Sequence, residues 1–92
     1  MRPRRSALRQ AVFLRALGAA IRFRREELNL TIVQVAYRLG TSSSAVVRLE
    51  RGAHNMTVLR LEAIAGALEV PLATLLSLAE RLQAGGRAKR RE

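Results

Sequence analysis

Residues 39–52 read LGTSSSAVVRLERG. Gly40 supplies the left-handed backbone that a tight exit from a helix needs. Ser42 stands just before a new apolar stripe. Its hydroxyl is placed to accept from a backbone N–H in the first turn of a following helix, which makes it an N-cap. Val46 and Leu49, with Ala45 beside them, give that helix an inward face, and Gly52 stops it after Arg51. Only a few residues around Gly40 separate this helix from the one before it. So short a connection suits two helices set at a steep angle rather than a hairpin with long antiparallel arms.

The reading extends outward from there. Upstream, Thr31-Ile32-Val33-Gln34 is a capping box, a hydroxyl N-cap with Gln three positions on. Val35, Ala36 and Leu39 form the buried stripe of that short helix. Further upstream, Phe13, Leu17 and Ile21 repeat every four residues between Ser6 and Leu28, with Arg22, Arg24, Arg25, Glu26 and Glu27 on the wet face. Gly18 inside this stretch costs about 1 kcal/mol of helix propensity, which makes the part before it a candidate separate helix. Asn29 is a left-handed stop. Downstream, Thr57 caps a helix from Val58 to Leu68, with Leu61, Ile64, Ala65 and Leu68 inward. Pro71 belongs in the first turn of a fifth helix carrying Leu72, Leu75, Leu76 and Leu78 toward Ala84. No strand alternation and no internal repeat is visible. The fold class is all-α, five short helices.

The chain has 92 residues, the size of one small domain. Hydrophobic residues make up 49% and aromatics 3%, so the core must be built from Leu, Ile, Val and Ala. A domain this small is modestly stable alone, and dimerisation would help. Leu72, Leu75, Leu76, Leu78 and Leu82 exceed what one face of a short helix needs, and part of that surface is expected to form a homodimer interface through the C-terminal helices. Cysteine is absent, which excludes disulfides and thiolate metal sites. No apolar run approaches the ~18 residues needed to span a bilayer, and the start, MRPRRSALRQAV, lacks the apolar region of a secretory signal. The expected location is the bacterial or phage-infected cytoplasm, with nucleoid association when DNA is bound and no membrane.

Net charge is +10, from 17 Lys+Arg against 7 Asp+Glu. Such an excess attracts a polyanion by releasing counterions from phosphates; on charge alone, acidic lipid competes with nucleic acid. The chain divides into a basic disordered arm (1–5, MRPRR), a folded domain (6–84) and a basic disordered tail (85–92, GGRAKRRE), since terminal charge runs pack poorly.

Two short helices at a steep angle form a helix-turn-helix, whose second helix lies in the DNA major groove with its N-terminal residues at the base edges. Ser42, Ser43 and Ser44 fit that place. Small hydroxyl side chains allow close approach and pair with phosphates or with donors and acceptors on bases. Catalysis has no comparable support. No histidine is placed to activate the serines, the single His54 has no cluster of carboxylates around it, and no glycine-rich phosphate loop exists. No enzyme activity, catalytic residue, cofactor or metal is expected.

Residues 17–76 resemble the phage repressor/Cro (XRE-type) helix-turn-helix family, through LGAAIRFRREELNLT, VAYRLGTSSSAVVRLERG and NMTVLRLEAIAGALEVPLATLL in that order. The resemblance implies a five-helix, lambda-repressor-like domain that binds double-stranded DNA. It implies base contacts from Ser43, Ser44, Val47 and Arg48. It places Thr41, Ser42, Arg51, His54 and Asn55 at phosphates, and makes Arg25 and Glu50 a structural pair. The family usually has Gln where this chain has Ile32, and a polar residue where it has Val33. Val47 replaces a frequent polar base reader, and its methyls suit a thymine. HNMTVLRLEAIAGALEV is similar to the restriction–modification controller subgroup. The implied function is a sequence-specific transcription regulator, a homodimer on an inverted-repeat operator, of autoregulator or controller type. The alternative is an antitoxin or other protein-interaction module whose apolar Ile32 and Val33 surface grips a protein partner.

Overall fold

Side-chain oxygens set where the short helices begin. The computed structural model describes residues 3–53 and 55–91, with side chains for 7–53 and 55–85. It contains α1 (Pro3–Glu27), α2 (Ile32–Leu39), α3 (Ser43–Arg51), α4 (Val58–Ala67) and α5 (Leu72–Arg91), and no strand among the described residues. Thr31 Oγ1 accepts from the Gln34 backbone N–H at 3.1 Å, while Gln34 Oε1 accepts from the Thr31 N–H at 2.8 Å, which completes the capping box. Ser42 Oγ accepts from the Ala45 N–H and Thr57 Oγ1 from the Arg60 N–H, each at 3.1 Å. Pro71 sits one residue ahead of the α5 range, its carbonyl accepting from the Leu75 N–H.

The first four helices end alike. Each closes with a left-handed residue whose N–H returns to the last turn while the next N–H reaches one residue further back, the Schellman motif. The left-handed residues are Asn29, Gly40, Gly52 and Glu69, with φ between 57° and 67°. Glu69 was not foreseen, because a charged side chain pays for this conformation. Arginines from two other helices hold it. Arg24 donates from Nε to the Leu68 carbonyl (2.9 Å) and from Nη2 to the Glu69 carbonyl (3.2 Å). Arg38 donates from Nη1 to the Ala67 carbonyl and to Glu69 Oε2, both at 2.8 Å. Cations at a helix C-terminus are favourably placed against its dipole.

The structure resolves the question raised at Gly18: α1 is one continuous helix. A Cβ at Gly18 would stand 2.5 Å from the Glu50 carbonyl oxygen and 2.8 Å from that of Leu49, so this glycine lets α3 lie directly on the α1 backbone. The backbone is helical from Pro3 and through Gly85-Gly86 to Arg91. Pro suits a first helical turn, and a glycine weakens an i→i−4 ladder by about 1 kcal/mol without breaking it. The α5 leucines are not left bare. Leu75 is buried, and Leu72, Leu76, Leu78 and Leu82 pack, partly buried, against the core. The long α1 supplies their partners, since α1 against α5 is the most extensive helix contact.

The core is aliphatic. Leu17, Ala20 and Ile21 of α1 meet Val35 and Ala36 of α2, Val46 and Leu49 of α3, Ile64 and Ala65 of α4 with Leu68 after it, and Leu75 and Ala79 of α5. No buried side-chain polar atom among the described residues lacks a partner. α4 and α5 meet at 95°. Because Arg24 ties the end of α1 to residues 68 and 69, α5 starts beside the end of α1 and returns along it.

Candidate nucleic-acid interface

The turn between α2 and α3 is three residues long. Gly40 is left-handed (φ 65°), and the Thr41 N–H returns to the Ala36 carbonyl at 3.0 Å. Open space surrounds Gly40, so the backbone angle rather than crowding selects glycine there. Val46 and Leu49 are buried and seat α3 on the core. The opposite face of α3 is therefore directed outward. Ser43, Ser44 and Arg48 are exposed on it, and Val47 is half-buried at its edge. Thr41 is half-buried and Ser42 exposed at the entrance; Ser42 spends its oxygen on the cap, which leaves its hydroxyl hydrogen as a donor. Arg51 ends the helix exposed, and Asn55 is exposed beyond it. His54 lies outside the described residues.

Among the described residues, Arg48 and Arg51 make no ion pair or hydrogen bond with their side chains. Four other arginines do: Arg22 with Glu26, Arg24 with Glu27, Arg25 with Glu50 and Arg38 with Glu69. The pairs on helix surfaces contribute little to stability. Arg25 with Glu50 is different. It is bidentate, Nε to Oε2 at 2.6 Å and Nη2 to Oε1 at 3.1 Å, and both side chains are largely buried (12% and 8% exposed). Arg25 Nη1 also donates to the Leu30 carbonyl at 2.9 Å. The Glu50 hydrogen bond raises the Arg25 pKa above its ordinary value, against the opposing pull of burial. One guanidinium thus joins the end of α1, the loop before α2 and the end of α3.

The apolar start of α2 divides in two. Ile32 packs partly buried against the core, and Val33 is 66% exposed. The pair is therefore not one apolar surface. Sequence reasoning missed Tyr37, one turn after Val33 and 88% exposed, and Val58 and Leu59, 70% and 77% exposed at the start of α4. The signal for the last two was present: they fall outside the Leu61, Ile64, Ala65 and Leu68 stripe. No group of His, Cys, Asp or Glu among the described residues could hold a metal ion. No single helix among them is long and apolar enough to cross a membrane.

Residues 21–75 match the helix-turn-helix family. The chain belongs to the XRE-type helix-turn-helix family. Its members are DNA-binding transcription regulators, and this chain is one of them. No curated protein matches the sequence at significant similarity. Among solved structures, the clp gene regulator ClgR from Corynebacterium glutamicum is 28% identical. It superposes with a TM-score of 0.81 over 85% of this chain and 83% of its own. The restriction-modification controller protein C.AhdI from Aeromonas hydrophila is 27% identical, with a TM-score of 0.64 over 67% of this chain and 94% of that one. A second controller, C.Esp1396I, solved as a tetramer with its natural 35-base-pair operator, is similar in fold (TM-score 0.71, 24% identity, 78% and 95% coverage). The helix-turn-helix family match runs from Ile21 to Leu75, so most of α1 and all of α5 after Leu75 lie outside it.

Proposed function

We propose that this helix-turn-helix protein regulates transcription as a homodimer on an inverted-repeat operator in the cytoplasm, of the autoregulator or restriction–modification controller type. The observation that carries the reading is the outward face of α3. Three exposed serines at its start and an exposed Arg48 without an intramolecular partner sit on a helix seated rigidly by Val46, Leu49 and the Arg25–Glu50 pair. In this reading Ser43, Ser44, Val47 and Arg48 read base edges, Arg48 by the bidentate geometry that suits guanine. Thr41, Ser42, Arg51, His54 and Asn55 hold phosphates and fix the register. Residues 6–84 are the DNA-binding unit, and the basic ends add phosphate affinity. Two copies meet through the C-terminal helices, where Val58 and Leu59 at the start of α4 add an exposed apolar surface. The C.Esp1396I complex with its operator and the ClgR likeness support this assignment. The alternative of an antitoxin-like interaction module draws on the exposed Val33 alone and is not favoured.

Selection of bound duplexes from a random DNA pool at near-physiological salt tests the proposal. One inverted repeat with half-sites about one turn (~34 Å) apart is the expected result. Retained DNA without a consensus would sink it.

A further inference from the structure

α1 keeps one side bare. It packs against α5 and α3, and Leu17, Ala20 and Ile21 carry its share of the core. Leu8 and Phe23 on the same helix are instead 66% and 46% exposed. Phe23 is one of only two phenylalanines in the chain, and the other, Phe13, packs against the core. An aromatic ring left in water forgoes most of what its burial would contribute. At ~100° per residue, Val12, Ala19 and Phe23 all stand within about 60° of Leu8 around the helix axis. Val12 is half-buried and Ala19 exposed. The four residues form one ridge roughly 22 Å long, at ~1.5 Å per residue.

The charges beside this ridge share one sign. Arg15 and Arg22 line one edge, about 20° and 40° from Leu8, and Arg9 stands on the other, about 100° away. All three are exposed. The first carboxylate of the helix, Glu26, comes after the ridge has ended and is held by Arg22 at 3.1 Å.

We propose that this ridge docks an acidic amphipathic helix of a partner protein. Leucines and glutamates on one helical face would meet Leu8, Val12, Ala19 and Phe23 with the arginines alongside. Other occupants fit less well. A second copy of the chain meets its own charge. The antiparallel register that sets Leu8 on Phe23 of a second copy also sets Arg9 opposite Arg22 and Arg15 beside its counterpart, and a parallel one stacks each arginine on itself. Like charges so placed repel. A DNA backbone satisfies the arginines but leaves Leu8 and Phe23 in water. A lipid surface suits a broad face of bulky side chains, whereas this ridge is one side chain wide. Alanine in its middle inserts little into a bilayer but lets another helix come close. The inference goes beyond the DNA reading, which uses none of these residues.

The test is fluorescence anisotropy of the full chain with a labelled peptide of about 20 residues, enough to follow the ridge at ~1.5 Å per residue. The peptide carries leucines on one helical face with glutamates flanking them; a scrambled peptide has the same composition. The wild type should prefer the amphipathic peptide. Leu8→Ser/Phe23→Ser should weaken that binding about 10- to 100-fold, the scale of losing two large apolar contacts. Arg15→Glu should weaken it too and reduce its salt dependence. Val33→Ser, at a comparably exposed apolar site on α2, should leave it unchanged. Thermal melts confirm that the variants are folded. Equal binding of the scrambled peptide, or an equal loss in Val33→Ser, would overturn the proposal. So would loss of self-association in the double variant by sedimentation, which would give the ridge to a second copy. Vesicles containing phosphatidylglycerol that bind the wild type and not the double variant would give it to lipid. The operator affinity of the double variant should equal that of the wild type, and a fall there would give the ridge to DNA.

Discussion

Arg25 and Glu50 meet through two hydrogen bonds of 2.6 and 3.1 Å across the junction of α1 and α3, twenty-five positions apart in the chain. Removing one partner leaves the other charge largely buried and unpaired. Glu50→Gln should therefore destabilise the fold by about 2 kcal/mol, less than the 3–5 typical of a fully buried pair. A fall in melting temperature of roughly 8–16 °C, followed by circular dichroism, would match that cost. Replacing both residues by apolar ones of similar volume should recover much of it. The raised pKa of Arg25 adds a sign. A base whose folded pKa is raised contributes fully below its unfolded value and loses that contribution only above its folded one. Arg25 therefore gives no pH dependence of stability across the neutral range.

Glycines 18 and 66 are both helical, and propensity alone predicts that alanine at either would stabilise by up to about 1 kcal/mol. Their surroundings separate them. Nothing lies within 4 Å of a Cβ at Gly66, whereas at Gly18 it meets backbone that cannot swing aside. Gly66→Ala should raise the urea midpoint. Gly18→Ala should lower it, by about 1–3 kcal/mol of overpacking. Equal shifts in one direction would contradict the contact between α1 and α3.

Arg48 contributes no intramolecular bond among the described residues, so Arg48→Ala should leave the melting temperature within about 2–4 °C of wild type, since surface changes of this kind usually stay within about ±0.5 kcal/mol. Its affinity for the selected duplex should fall by about 1–3 kcal/mol, roughly 5- to 150-fold, with relaxed preference at one base position. Fluorescence anisotropy against the selected and singly substituted duplexes reads both effects.

Leu59 is 77% exposed beside Val58 on α4. A lysine there burdens an apolar meeting surface with charge while touching nothing in the monomer core. Leu59→Lys should shift sedimentation equilibrium toward monomer, weaken operator binding and leave helix content unchanged. A dimer of undiminished strength would move the interface elsewhere.

The parts legible in the sequence were those determined within a few residues. Thr31 with Gln34, Ser42 before Ala45, Thr57 before Arg60, and Asn29, Gly40 and Gly52 act on their own helix ends, so their roles follow from spacing. Glu69 could not be read that way. Its left-handed conformation is held by Arg38 and Arg24, thirty-one and forty-five positions away. Gly18 left the continuity of α1 open for the same reason: its local cost is visible, and the α3 backbone that demands it is not. The outward face of α3 was legible from the Val46 and Leu49 spacing, whereas the division of Ile32 from Val33 needed the packing of α2. The leucines of α5 counted as surplus only while that helix was taken to be short.

The seating of α3 has an evolutionary consequence. Gly18 and Gly52 let main chain rest on main chain, and the anchoring side chains, Val46, Leu49 and Glu50, all point inward or sideways. None of the positions 43, 44, 47 and 48 carries the docking of the helix. If these positions choose the target as proposed, the lettering can be rewritten one residue at a time while the mount stays fixed, so new addresses are reachable by single mutations that do not first endanger the fold.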